Sequence, residues 1–243
     1  MAKNRKSGVA SNITSPQSDS DRWRMTIENA NTIGELSDFM KSEFDIDVDG
    51  RMDFYKLDAT KTYLTEITDM INEFPELGTY IQSVGKSVDG AYAGMDDDGN
   101  LALKMSVMRD LERANKRYAD DVKKKYHPEG TNATQIISHE LGHALENILL
   151  GKRYTPGTSD YDKAYANSEM AKEILGKAMD RVSPGWRRFK FNRPAREAML
   201  GISLYATSDA SEAMAEAVAD YRANGERAKP LSVEIWRELK NRF

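Results

Sequence analysis

The sequence predicts an α+β domain in which a small β-sheet comes first and helices follow. Strand-like alternation of apolar and polar residues lies before residue 107, and helical periodicity dominates after it. The chain has 243 residues, of which 40% are hydrophobic, and this is enough for one sizeable core. No internal repeat divides the sequence. We therefore predict one domain at residues 22–243.

The first 21 residues are rich in serine, asparagine and lysine and contain only scattered apolar residues. Such a segment cannot bury enough apolar surface to offset the entropy lost on ordering. We therefore predict a disordered N-terminal arm at residues 1–21. The basic residues near its start are not followed by the apolar stretch of a secretory signal peptide, so classical secretion is not predicted.

Two helices and a small sheet are predicted in the first half of the chain. One short helix is expected within residues 22–44, and another begins at Asp58 and ends before Pro75. Strands are predicted from "DIDVDG" (45–50), "TYIQSV" (79–84) and a hairpin, "GAYAGMDDDGNLALKMS" (90–106), whose turn is rich in Asp and Gly.

The second half is predicted to be mainly helical. Apolar residues recur at helical spacing in "ATQIISHELGHALENILL" (133–150), and Gly151 is interpreted as its C-terminal stop. Further helices are predicted at 107–125, 159–182, 209–224 and 231–243. The segment between 183 and 209 is predicted to be irregular, with one or two helical turns.

Composition excludes several classes of site. The net charge is −4 and the pI is about 5.6, which do not indicate a nucleic-acid-binding protein. No apolar run approaches the ~18 residues of a membrane span, so no membrane partner is expected. The chain has no cysteine, so a disulfide framework, a thiolate metal site and a cysteine nucleophile are all excluded. Any metal site must therefore use His, Asp and Glu.

The stretch "SHELGHALENILL" contains two of the three histidines in the chain. His139 and His143 are four residues apart on the predicted helix, so both rings can reach one metal ion. Glu140 stands beside them, which completes the H-E-x-x-H spacing of zinc peptidases, in which the glutamate takes a proton from zinc-activated water. Gly142 costs the helix about 1 kcal/mol relative to Ala and so predicts close packing. The alternative is an ordinary amphipathic helix that matches the motif by chance.

A zinc peptidase site needs a third protein ligand. Glu146 lies too far along the same helix to complete a tetrahedron. Glu212 and Glu216 share one face of a later Ala-rich helix, which could approach the first closely. We predict Glu212 as the third ligand and Glu216 as the acceptor of a hydrogen bond from a ligand histidine. The alternative is a solvated acidic face. His127, in a His-Pro loop, is interpreted mainly as a loop residue, with substrate contact as the alternative.

"HELGH" followed by "YATSDASEAMAE" resembles the gluzincin peptidases, and among them the catalytic domain of anthrax lethal factor and its relatives. In that group a tyrosine stands seven residues before the glutamate ligand, and Tyr205 stands at that distance from Glu212. The resemblance implies that the zinc ligands are His139, His143 and Glu212. It also implies that Glu140 is the general base and that the phenol of Tyr205 stabilises the oxyanion. Glu216 would then contact a ligand histidine without binding the zinc. A core tyrosine is the alternative for Tyr205.

A second resemblance covers about residues 25–243. "FPEL", "AYAGMDDDGNLALKMS", "YHPEGTNATQIISHELGHALE" and "AEAVADYRANGERAKPLSVEI" are similar to zincin domains of tailed bacteriophages, often fused behind a Mu F-type minor head protein. This implies a zincin-like fold, with a small sheet, an active-site helix and a C-terminal helical part. It also implies a phage-encoded protein in the virion or in the cytoplasm of the infected bacterium, with phage head or portal proteins as possible partners.

The sequence therefore predicts a zinc metalloendopeptidase that acts on a protein or peptide substrate. We expect the substrate to pair with the edge of the hairpin near "NLALKMS" through backbone hydrogen bonds. Two alternatives remain open: a non-catalytic phage structural protein that retains the fold, and a toxin-like effector protease.

Overall fold

A computed structural model describes residues 18–86, 91–189 and 193–243, and this part of the chain is α+β. Its first-half helices are α1 (Asp19–Asn29), α2 (Ile33–Phe44), α3 (Leu57–Glu73), α4 (Leu77–Tyr80), α5 (Met105–Met108) and α6 (Leu111–Lys123). The later helices are α7 (Gln135–Arg153), α8 (Ser159–Ala166), α9 (Glu169–Val182), α10 (Arg193–Ile202), α11 (Ala210–Asn224) and α12 (Pro230–Lys240). The strands are β1 (Asp47–Val48), β2 (Ser83–Lys86), β3 (Ala93–Met95) and β4 (Asn100–Leu103).

The N-terminal region forms two helices where one was predicted. The Ser18 side chain caps α1 by accepting from the Asp21 backbone N–H, and Thr32 caps α2 in the same way. The last residues of the predicted arm are therefore helical, which places the 1–21 boundary too late. The rest of that arm, residues 1–17, lies outside the described residues.

The sheet has the strand order β1-β2-β4-β3. β1 and β4 run parallel to β2, and β3 is antiparallel to β4, so the predicted hairpin is present. Its turn packs closely, since a Cβ on Gly99, at φ +80°, would lie 2.1 Å from the Tyr80 carbonyl oxygen. The expected substrate edge near "NLALKMS" is wrong, because β4 lies between β2 and β3. The free edge of the hairpin is β3.

Several helix boundaries differ from the predicted ones. The region predicted as one helix at 107–125 divides because the Asp110 side chain caps α6. The region 159–182 divides at Ser168, which has a φ of +48°. The helix through "SHELGHALE" continues to Arg153, so Gly151 is not its stop. "TYIQSV" begins inside α4 and becomes a strand only at Ser83.

Helix α7 lies at the centre of the fold and contacts α11, α3 and β3. A partly buried ion pair joins three of the helices. Glu66 of α3 accepts hydrogen bonds from Ser138 of α7 (2.7 Å) and from Arg222 of α11 (2.8 and 3.0 Å). The C-terminal helix α12 packs against α9 and α11. None of the helices in the described ranges has the length and apolar character required to span a membrane.

Candidate metal centre

Helices α7 and α11 pack closely at the predicted metal site. Gly142 faces Ala215, and a Cβ added to Gly142 would lie 2.8 Å from the Ala215 Cα. Four more alanines of α11, at positions 210, 213, 217 and 219, are also buried, as an Ala-rich helix in close contact requires. This contact brings Glu212 of α11 to the face of α7 that carries His139 and His143.

The three predicted ligands converge on one point. Glu212 Oε2 lies 3.2 Å from His139 Nε2 and 3.5 Å from His143 Nε2, and the two Nε2 atoms are 3.2 Å apart. An ion bound tetrahedrally at about 2.0–2.1 Å from each atom would place the three atoms about 3.3 Å apart. Glu212 Oε2 is buried and has no hydrogen-bond partner among the described residues. The three residues therefore fit a tetrahedral divalent ion.

A buried carboxylate lies behind the first histidine. Glu216 is fully buried, and its Oε1 lies 3.0 Å from Nδ1 of His139 and 3.0 Å from Nδ1 of His127. Burial alone would raise the pKa of Glu216, but the two imidazoles outweigh it and lower the pKa to about 2. The predicted hydrogen bond from His139 to Glu216 is not formed among the described residues: Glu216 approaches His139 as a charge and is hydrogen-bonded to His127.

The second histidine is oriented through a serine. Ser211 Oγ lies 3.0 Å from His143 Nδ1 and donates to Glu146 Oε2. Glu146 also accepts from the Ala171 backbone N–H at 3.1 Å. Glu146 therefore lies outside the ligand cluster, and Glu212 occupies the third position. The role of Ser211 was not predicted, although its place directly before Glu212 was a usable signal.

Tyr205 lies in a single helical turn, Tyr205–Thr207, just ahead of α11. Its hydroxyl donates to Glu212 Oε1 at 2.9 Å, and its ring stacks on His139 and on Tyr126 at centroid distances of 5.7 and 5.1 Å. Burial raises the pKa of the phenol, and the negative charges of Glu212 and Glu140 raise it further. The side chain is only partly buried and belongs to the site, not to the core.

The predicted general base, Glu140, lies on the same helix as the two histidines. Its side chain is largely buried and lines the same cavity as the ligand cluster. Burial alone would lower the pKa of His139, but Glu212, Glu216 and Glu140 outweigh it and raise the pKa to about 10. The three acidic side chains thus produce a negative potential at the cluster, which suits a divalent cation.

His127 lies in the predicted loop, but its side chain is buried beside the candidate metal ligands. Only 9% of the residue is exposed, and its ring stacks on Tyr118 with the centroids 4.5 Å apart. It joins the site because its loop is held to the segment before α11. Leu204 donates a backbone hydrogen bond to Lys125 (2.7 Å), and Tyr205 donates one to Tyr126 (3.2 Å).

The three candidate ligands border one cavity of about 650 Å³, together with Glu140, Tyr205, Glu216, Ser211, Glu146 and His127. The size is ordinary for a small-molecule or side-chain binding site. β3 contributes Ala93, Gly94 and Met95 to one wall, and α7 and α11 contribute the cluster of acids and histidines. A ligand bound there would lie between the edge strand and the candidate metal position.

No protein-family model matches this chain, and no curated protein or solved structure matches it either. The function is therefore inferred from the site itself.

Proposed function

We propose that this protein is a zinc-dependent endopeptidase of the gluzincin type with a zincin-like fold. The observation that carries the proposal is the ligand triangle of His139, His143 and Glu212, whose sides of 3.2, 3.2 and 3.5 Å suit one tetrahedral ion. Glu140 and Tyr205 border the same cavity. If the motif were only a chance match on an amphipathic helix, nothing would require these five side chains to lie together.

The donor set supports zinc as the ion. Hydrolytic zinc sites typically have two imidazoles and one carboxylate as ligands, and they leave a fourth position open for water or substrate. Zinc bound by these residues would lower the pKa of a water molecule and polarise a carbonyl group. Ser211, bonded to Glu146, lies at hydrogen-bond distance from Nδ1 of His143, and the charge of Glu216 lies 3.0 Å from Nδ1 of His139, so each ring has a polar group behind it.

Glu140 would act as the general base and then as the proton carrier. Its carboxylate lies beside the first ligand histidine and within the cavity, so it can take a proton from the attacking water. The same carboxyl group can give that proton to the leaving amine. The other carboxylates of the cavity among the described residues are already engaged: Glu146, Glu212 and Glu216 by the contacts described above, and Asp209 by accepting from the Glu212 backbone N–H at 2.9 Å.

Tyr205 would donate a hydrogen bond to the oxyanion as it forms. Its raised pKa keeps the phenol protonated at neutral pH, so it serves as a donor and not as a base. In this structure the hydroxyl donates to Glu212 Oε1. To stabilise the oxyanion, Tyr205 must exchange that bond for one to the substrate.

The substrate is proposed to be an extended peptide along β3. This strand is the free edge of the hairpin and lines the cavity, so its backbone groups can pair with a peptide backbone. The resemblance to phage zincin domains supports a role in the virion or in the infected bacterial cell. Phage head or portal proteins are then the first partners and substrates to test.

The test compares wild-type protein with Glu140→Gln by profiling new protein termini in bacterial lysate, phage structural proteins and a broad peptide library. We expect Glu140→Gln to fold, to bind zinc and to generate almost no termini. Glu129→Gln, which alters an exposed carboxylate outside the cavity, is the matched control and should resemble wild type. If wild type produces no termini beyond those of Glu140→Gln, a non-catalytic structural role replaces the peptidase.

A further inference from the structure

His127 is a polar group of the cavity that the hydrolytic mechanism above leaves unused. The residue is 91% buried and lines the same cavity as the ligand cluster. Its Nδ1 lies 3.0 Å from Glu216 Oε1, whereas its Nε2 is buried and has no hydrogen-bond partner in the described part of the chain. A buried polar atom of this kind is costly unless a ligand or water satisfies it.

The surroundings of His127 form an aromatic compartment. Tyr118 stacks on the imidazole at a centroid distance of 4.5 Å. The rings of Tyr126, Tyr205 and Tyr92 stand edge-on to it at 5.1, 6.0 and 6.4 Å. These rings fix the plane of the imidazole and present apolar surface to the cavity. The compartment adjoins Tyr205, so it is close to the proposed reaction centre.

The hydrogen bonds of the compartment define what it can accept. An ionised carboxylate only accepts hydrogen bonds, so Glu216 requires His127 Nδ1 to be the donor. In the neutral ring the other nitrogen, Nε2, is then an acceptor. The neighbouring hydroxyls already have protein partners. Tyr92 donates to Asp121 at 2.7 Å, and Tyr118 donates to Thr131 Oγ1 at 3.4 Å, since Thr131 gives its own proton to the Pro128 carbonyl at 2.6 Å.

We propose that this compartment is a specificity pocket for one substrate side chain that carries a hydrogen-bond donor, a hydroxyl or an amide, with His127 Nε2 as the acceptor. The substrate class in this proposal rests on the proposed peptidase function. A site built to pair a buried polar atom discriminates against an isostere that lacks the matching group, because the atom is then left unpaired. His127 is thus a specificity residue and not part of the hydrolytic machinery.

The experiment measures peptide binding to zinc-loaded Glu140→Gln protein, so it does not depend on turnover. Peptides are varied one position at a time with pairs of similar shape: Tyr and Phe, Thr and Val, Gln and Met. At one position we expect the member with the donor to bind about tenfold more tightly. A preference for acidic side chains at that position, or no discrimination at any position, overturns the proposal.

Two further variants test His127 in the same background. In His127→Asn the side-chain amide can still donate a hydrogen bond towards Glu216, so we expect normal zinc affinity. The asparagine does not extend to the position of the His127 Nε2 atom, so we expect peptides with and without the side-chain donor to bind equally well. Tyr154→Phe, which removes a hydroxyl bonded to Glu169 outside the cavity, should retain the preference. If His127→Asn also retains the preference for peptides with a side-chain donor, the histidine only supports Glu216 and the pocket proposal fails.

The outcomes separate this proposal from the proposed function. Hydrolysis by wild type without discrimination within any peptide pair rejects the pocket and leaves the peptidase intact. Donor-selective binding that depends on His127, without hydrolysis by wild type, supports the pocket and rejects the peptidase. Neither binding nor hydrolysis rejects both.

Discussion

Gly142 of α7 and Ala215 of α11 meet so closely that a Cβ on the glycine would stand 2.8 Å from the Ala215 Cα and 3.3 Å from its Cβ. The contact is with backbone, which cannot rotate away. It also fixes the separation of the two helices that carry the three candidate ligands. The close approach of the two helices that carry the candidate ligands therefore explains why a glycine stands inside α7 despite its cost in helix stability.

The first prediction concerns this contact. Gly142→Ala gains up to about 1 kcal/mol of helix propensity but forces α7 and α11 apart, and overpacking typically costs about 1–3 kcal/mol. We expect a net loss of stability and weaker zinc binding, measured by thermal unfolding and metal competition. Gly151→Ala is the matched control in the same helix, because its Cβ would meet only Pro156 at 3.9 Å. The control should stabilise the protein slightly, and a stabilised Gly142→Ala would contradict the explanation.

Much of this site could be predicted because its signals are local. His139, Glu140 and His143 lie within five residues of one amphipathic helix, and Tyr205 and Glu212 lie within eight residues of each other. Helical periodicity places the first three on one face without knowledge of the fold, whereas the role of Tyr205 was predicted from the tyrosine-to-glutamate interval of the gluzincin resemblance. The α+β class followed in the same way, from strand-like alternation before residue 107.

The remaining features depend on tertiary contacts. His127 meets Glu216 across 89 residues, and Ser211 meets Glu146 across 65. No pattern in either segment specifies that partner. The position of β4 inside the sheet was missed for a related reason. A hairpin sequence predicts the pairing of β3 with β4 but not which of the two strands receives β2.

The second prediction concerns the serine behind His143. Ser211→Ala removes the hydroxyl that contacts His143 Nδ1 and leaves Glu146 Oε2 without its donor. Loss of such an outer contact typically lowers metal affinity 10–100-fold. Competition with a chromophoric chelator should show this decrease, whereas Ser159→Ala, at an exposed position on α8, should bind zinc as wild type does. Unchanged affinity in Ser211→Ala would show that His143 needs no such support.

The third prediction separates catalysis from packing at Tyr205. Tyr205→Phe retains the ring that stacks on His139 and Tyr126 but removes the hydroxyl. Loss of one oxyanion donor typically costs ~10²–10³ in kcat. We expect a decrease of this size with nearly normal folding and zinc content. Tyr154→Phe loses a comparable hydroxyl away from the cavity and should cleave at the wild-type rate. A wild-type kcat in Tyr205→Phe would leave the tyrosine with a packing role only.

The last prediction concerns stability in acid and does not depend on zinc. Glu173 of α9 accepts from Arg153 at the end of α7 (2.7 Å) and from Arg242 near the C-terminus (2.9 Å). Arg153, followed by Arg242, lowers the pKa of Glu173 to about 2. Because the folded pKa is depressed, this stabilisation is present above the unfolded pKa of about 4.3 and is lost as the pH falls towards 2.

Glu173→Gln should therefore reduce the free energy of unfolding at pH 7, by at most about 1 kcal/mol because the pair is partly exposed to solvent. The difference from wild type should shrink as the pH falls below about 4.3, where the unfolded chain begins to bind a proton at Glu173 that the folded carboxyl, with its lowered pKa, does not bind. Urea unfolding at pH 7, 4 and 3 measures this. Glu197→Gln disrupts an exposed pair with Arg193 and should change little at any of these pH values. A deficit in Glu173→Gln that stays constant from pH 7 to pH 3 would mean that packing, and not charge, gives Glu173 its effect.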